Sequence, residues 1–330
     1  MVAAVAPKAD RRSAEKPAFW LAFLAVVAVL AVAPLFFPND FWQRLLTEVL
    51  ILGLLAMSSD LLIGYVGMVS FGHALFFGTG CYGAAYALMW TESPLALWLA
   101  LLFGLVGAGI MGIFVAFYST RLRDIYFSIT TLVFAQIFWV IVFTWTDVTG
   151  GENGLVFSPP RLSFLGLFAA EFTTMSLHWF VLGVVALCYV FCRRVTQSPF
   201  GKVLQAIREN EPRTRAIGYN VERHKMGMVM LSALVAGLAG ALYGIFNAYA
   251  APDYFFFLQS GETVIYNVLG GIGTLAGPVL GAGVFVLLKE LFSTYWSPEY
   301  YLIPVGLLFT AMVMYMPQGL LGFLRHKLNA

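Results

Sequence analysis

The uncharged run FWLAFLAVVAVLAVAPLFF, Phe19 to Phe37, is 19 residues long, and several stretches of the same character follow it. A helix needs about 20 predominantly apolar residues to cross the hydrocarbon core of a bilayer. Inside that core no water is present to satisfy backbone N–H and C=O groups, so only helices and closed barrels cross it. Barrel strands alternate in hydrophobicity over segments of about ten residues, and these runs do not alternate. The chain is 60% hydrophobic and 11% charged, whereas soluble domains carry about a quarter charged residues. Its fold class is therefore an all-α polytopic membrane protein.

Ten crossings can be placed at about 19–37, 45–63, 67–90, 95–118, 126–145, 178–195, 226–247, 262–276, 277–292 and 301–317. Gly270, Gly271, Gly273, Gly277, Pro278, Gly281 and Gly283 crowd the eighth and ninth. A broken or re-entrant hairpin serves equally well there, so about 8–10 transmembrane helices are expected. The first run is too long for a signal peptide's apolar region, and Pro38-Asn39-Asp40 follows it instead of a small-residue cleavage site. It reads as a retained span. With the N-terminus inside, Lys8, Arg11, Arg12, Lys16, Arg121, Arg123, the eight basic residues from Arg193 to Lys225, Arg325 and Lys327 all fall on the inner side, sixteen of nineteen. That bias is the one cytoplasmic loops show. The expected organisation is a cytoplasmic arm over 1–18, a transmembrane domain over 19–317 and a cytoplasmic tail over 318–330. The domain carries an outer loop at 146–177 and a polar inner segment at 196–225.

The inner segment concentrates charge in a chain that is poor in it. LQAIRENEPRTRAIGYNVERHK, Leu204 to Lys225, has five basic residues and three glutamates in 22 positions. Ser198-Pro199 has the form of an N-cap followed by proline at the first helical position. Glu211-Pro212 restarts a second short helix, which Gly218 is placed to stop. Val203, Leu204 and Ile207 form an apolar stripe on the first helix. Two capped helices of mixed charge favour a protein partner over anionic lipid, which basic charge alone would attract.

Glycine is concentrated in GYVGMVSFGHALFFGTGCYG, Gly64 to Gly83, and in GGIGTLAGPVLGAG, Gly270 to Gly283. Paired glycine-interrupted spans in the two halves of a chain point to a pathway between structural repeats. Ser70, Gly72, His73, Gly271 and Gly273 are the path candidates, with a hydrogen-bonded structural histidine as the alternative for His73. Small residues at four-residue intervals, Gly104, Ala108 and Gly112 or Ala236, Gly240 and Gly244, read as close helix packing. The ionisable residues Glu48, Asp60, Glu262, Lys289 and Glu290 fall near the expected span ends, and they suggest no proton relay. Cys81, Cys188 and Cys192 read as buried thiols, with no metal site or catalytic cluster. H-E-x-x-H and G-x-x-x-x-G-K-[ST] are both missing from the sequence, so no zinc protease and no P-loop ATPase is encoded.

GYVGMVSFGHALFFGTGCYGAA, TLVFAQI, WTDVTGGENGL, SPFGKVLQAIRENEPRTRAIGYNV, SALVAGLAGALYG, GETVIYNVLGGIGTLAGPVLGA and MPQGLLG together resemble the branched-chain amino acid ABC importer permeases of the LivM type. The resemblance runs from about Leu46 to Leu324. It implies a subunit of the bacterial inner membrane that forms the translocation path with a second, LivH-type permease. It also implies two cytoplasmic ATPases and a periplasmic substrate-binding protein, with ATP and Mg on the ATPases and no cofactor on this chain. Under the resemblance, Glu209, Asn210, Glu211, Arg213, Arg215 and Gly218 form the core of the ATPase-coupling surface. Thr149, Gly150, Gly151, Glu152, Asn153 and Gly154 correspond to an outer motif near the binding protein. Family members handling urea or short amides give the alternative substrate reading, and no nucleic-acid partner is expected. A secondary transporter lacks its midplane carboxylates here, and a passive channel would not need the capped inner segment.

Overall fold

The computed structural model describes residues 11–36, 39–91, 93, 95–122, 124–158, 162–163, 169–170, 173–295 and short pieces of 303–322. Residues 1–10, most of the expected span at 301–317 and most of the tail at 318–330 lie outside the described residues. In chain order the elements begin with α1 (Arg11–Phe36), α2 (Asp40–Ile63), α3 (His73–Trp90), α4 (Ala96–Ser119), α5 (Asp124–Thr144) and α6 (Thr146–Thr149). The outer loop then contributes β1 (Leu155–Val156), β2 (Leu162–Ser163) and β3 (Ala169–Ala170). There follow α7 (Thr174–Gln197), α8 (Pro199–Glu209), α9 (Glu211–Ala216), α10 (Val221–Asn247), β4 (Tyr249–Ala250), α11 (Phe257–Gly270) and α12 (Gly277–Tyr295). Among the described residues α2, α4, α5, α7, α10 and α12 are each long and apolar enough to cross a membrane.

Two expected spans are shorter as helices than the hydropathy suggested. The third, placed from about 67, becomes helical only at His73. Gly67 has φ +81°, which interrupts any continuous helix. The intervening backbone is satisfied from α5: Ser128 donates to the Val69 carbonyl at 2.6 Å and Phe71 N–H donates to Thr131 Oγ1 at 3.2 Å. Non-helical chain at membrane depth needs this kind of shielding by protein. The eighth crossing is the 14-residue α11, about 21 Å long at 1.5 Å per residue. A glycine-containing turn over 271–276 joins it to α12.

The centre of the protein is α10 packed against α2, α3 and α4. Small residues let the backbones touch: a Cβ added to Gly240 would run into the Phe77 carbonyl oxygen of α3, and one on Gly237 into the Ala108 methyl of α4. Where lipid removes the hydrophobic drive between helices, such close van der Waals contact is what holds them together. Outer faces are apolar. Leu102, Phe103, Val106 and Ile110 of α4, Ile129, Val133 and Ile137 of α5, and Leu187 and Phe191 of α7 are all exposed. After α6, β1 pairs antiparallel with β4, Leu155 opposite Ala250 and Val156 opposite Tyr249.

Candidate functional site

The inner segment folds as its punctuation dictates. Ser198 caps α8, its Oγ accepting from Gly201 N–H at 3.4 Å, and Pro199 occupies the first turn. Leu204 and Ile207 are buried on the inner stripe, while Lys202, Gln205, Arg208 and Glu209 are exposed. Asn210 stops α8 and caps α9, its Oδ1 accepting from Arg213 N–H at 2.9 Å. Gly218 has φ +95°, and nothing in the chain lies within 4 Å of where its Cβ would be. Asn220 caps α10 in the same way through Arg223 N–H at 3.0 Å.

Glu211 ties the segment together. Lys225 Nζ of α10 lies 2.7 Å from Glu211 Oε2, and Arg215 Nη2 lies 3.2 Å from Oε1. Arg215 also reaches Glu222 at 2.6 Å. The Lys225 side chain is only 6% exposed and that of Glu211 17%, whereas Arg215 is 50% exposed. The Lys225–Glu211 pair therefore holds α9 against α10, and the solvent-screened arginine pairs add little. Arg213, Ile217 and Tyr219 remain exposed beside this framework. A concavity of about 490 Å³ opens between α8 and the start of α10, lined by Phe200, Lys202, Val203, Ala206, Tyr219 and His224 among others. The result is a braced, partly apolar surface suited to receiving another protein.

On the opposite side Thr149 is buried, its hydroxyl donating to the Trp145 carbonyl at 2.7 Å. Gly150, Gly151 and Gly154 all have positive φ. Tyr249 OH donates to the Asn153 carbonyl at 3.0 Å, so the loop is fastened to the chain entering α11. Glu152 and Asn153 point to solvent.

The path candidates are mostly interior. Ser70, Gly72 and His73 are buried, Gly271 is buried, and Gly273 is half-buried. Ser232 Oγ donates to the Ser58 carbonyl at 2.7 Å and lies 2.9 Å from His73 Nε2. The ring nitrogen and the hydroxyl share one buried hydrogen-bond chain from α3 through α10 to α2. Ala74 N–H donates to Ser260 Oγ at 2.8 Å. His73 thus joins α2, α3 and α10, and the next residue fastens α11.

Two groupings escaped sequence reasoning. Asp60 is fully buried and accepts from Gly273 N–H at 2.6 Å and Leu275 N–H at 2.9 Å. The run Ser58-Ser59-Asp60 inside an apolar helix was the available signal. Separately, Gly53 abuts Val279, Gly283 abuts Val49, and Gly281 abuts the Tyr266 carbonyl, which fixes the register of α2, α11 and α12. Glu48 and Glu262 then lie level with Val284 and Phe285, about 12 Å along α12 from its start at Gly277. Glu48 receives Tyr243 OH at 3.3 Å, and Glu262 receives Tyr266 OH at 2.9 Å. Lys289, Glu290 and Glu262 are all within electrostatic reach of Glu48. All four ionisable side chains are half-buried.

The profile of the family described as "Branched-chain amino acid transport system / permease component" matches residues 42–314. The chain belongs to this permease family. Within it, the chain is 29% identical over 333 residues to the high-affinity branched-chain amino acid transport system permease protein LivM of Salmonella typhimurium, covering 93% of this chain and 76% of that one. A probable LivM of Methanocaldococcus jannaschii is 26% identical, covering 81% of this chain and 89% of the relative. The LivH permease protein of Escherichia coli K12 is 27% identical over 82% of this chain and 90% of its own. No solved structure matches this permease.

Proposed function

We propose that this permease is one of two membrane subunits of an ATP-driven importer of branched-chain or related amino acids in the bacterial cytoplasmic membrane. The second subunit is a LivH-type permease, and a periplasmic binding protein delivers solute to the outer loop. Separate ATPases receive α8 and α9, centred on Glu209, Asn210, Glu211, Arg213, Arg215 and Gly218. Their closure moves the attached spans, which opens the path alternately to either side. The observation that carries this reading is the braced α8–α9 elbow, a mixed-charge surface in a chain only 11% charged.

The solute path in this reading follows the side of α2, α11 and α12 that presents Glu48, Glu262, Lys289 and Glu290. A charge facing lipid at the middle of a helix costs about 2.5–3.5 kcal/mol on insertion scales. Water or the second permease at that side removes the cost, while the apolar faces of α4, α5 and α7 meet lipid. Charges of both signs there suit a zwitterionic solute.

Glu209→Arg and Gly218→Trp, assayed in the assembled transporter, are expected to abolish uptake of labelled leucine while leaving the subunit inserted. Both positions are exposed, and because φ +95° strains any side chain at Gly218, Glu209→Arg is the variant that decides. Uptake and ATP hydrolysis that both survive these changes would refute the coupling surface. Uptake of urea or short amides in place of leucine would shift the substrate to the other branch of the family.

A further inference from the structure

The hairpin of α11 and α12 has no short covalent route to the inner segment. Along the chain, a displacement of α9 reaches it only by crossing α10, whose 27 residues span about 40 Å, and returning through residues 248–256. A much shorter non-covalent route exists at the inner end of α2. Arg208, in the last turn of α8, donates through Nη1 to the Gly64 carbonyl, and its aliphatic stem lies against Gly67. Gly64 closes α2, its N–H donating to the Asp60 carbonyl at 2.7 Å. The Asp60 carboxylate in turn takes one N–H on each oxygen from the 271–276 turn, Gly273 at 2.6 Å and Leu275 at 2.9 Å.

Steric contact reinforces these bonds. A Cβ on Gly64 would lie 2.6 Å from the backbone nitrogen of Gly273, so the turn rests directly on the end of α2. Leu275 has φ +57°, a left-handed conformation that L side chains rarely adopt. It is held there by burial and by its bond to Asp60. The guanidinium of Arg208 acts electrostatically on the same carboxylate, and hydrogen bonds to an ionised acceptor are the stiffer, shorter kind.

We propose that Arg208, Gly64, Asp60 and the 271–276 turn form a mechanical relay that delivers movement of α8 to the α11–α12 hairpin. Asp60 is a positioning residue in it, fully buried and acting through the turn it holds. This rests on the coupling role assigned to α8 and α9 above. In that frame, α2 serves as a crank pushed at Gly64, and the hairpin follows because its connecting turn is bonded to the crank.

The test uses the full transporter, with partner permease, ATPases and binding protein, in proteoliposomes. The readout is leucine imported per ATP hydrolysed. Asp60→Asn keeps the shape of the side chain but removes one charged acceptor oxygen. Arg208→Gln acts from the exposed end of the same relay and serves if the buried change impairs insertion. Each is expected to lower the coupling ratio by about tenfold, within the range of coupling energies between linked sites. The double variant should be no worse than the more severe single one, because groups acting in series are non-additive. Coupling ratios unaffected by Arg208→Gln, or losses that multiply in the double variant, would overturn the relay. A wild-type transporter that imports leucine without consuming ATP would instead overturn the coupling reading on which the relay rests.

Discussion

Gly240 offers a quantitative check on how the core is held. Its missing Cβ is replaced by the carbonyl oxygen of Phe77, a backbone atom of α3 that cannot swing aside as a side chain would. Gly240→Ala therefore forces α3 and α10 apart along their whole contact. Overpacking of a filled interior costs about 1–3 kcal/mol, and Gly→Ala in a helix interior returns about 1 kcal/mol through propensity. Gly183 of α7 supplies the control, since nothing lies within 4 Å of the site its Cβ would occupy. The propensity gain is common to both substitutions and cancels when they are compared. Unfolding by SDS titration in mixed micelles should place Gly240→Ala below Gly183→Ala by about 1–3 kcal/mol. Equal stability of the two variants would show that α3 and α10 do not approach as described.

Two further outcomes follow from the inner segment. Asn210→Ala removes the cap of a six-residue helix, a loss of about 1 kcal/mol. It should speed amide exchange in residues 211–216 while leaving α8 protected. Glu211→Gln leaves the nearly buried Lys225 ammonium without its carboxylate, on the order of 2 kcal/mol, below the range for a fully buried pair because Glu211 retains some solvent. Lys225→Met should cost less, since Glu211 still has Arg215. A reversed order in chemical denaturation would mean that the pair does not brace α9.

Sequence alone revealed the membrane class, most helix positions and the caps of the inner segment, because each rests on local signals. Ser198-Pro199, Glu211-Pro212 and Gly218 act within a few residues of themselves. Hydropathy failed at 67–72 because loop residues shielded by α5 are as apolar as helix residues facing lipid. Which ionisable residues meet was illegible for a different reason. Distance along the chain from a run's end was the only guide to Glu48 and Glu262, whereas the register set by Gly53, Gly281 and Gly283 is what brings both level with the same turn of α12. Asp60 lies near the end of α2 and is fully buried, with partners more than 210 positions away. No local pattern can report a contact of that span.

The short α11 bears on how the chain is made. Helices emerge from the ribosome in order, and each must choose between lipid and water as it leaves the translocation machinery. A 14-residue segment carrying Gln259, Glu262 and Asn267 is too brief and too polar to choose lipid unaided. Its entry must wait for the cradle formed by α2 and α3, with α12 arriving as a clamp behind it. Biogenesis would then have a late, tertiary step, in which the segment from α11 onward is folded into place after the earlier helices are already in the bilayer.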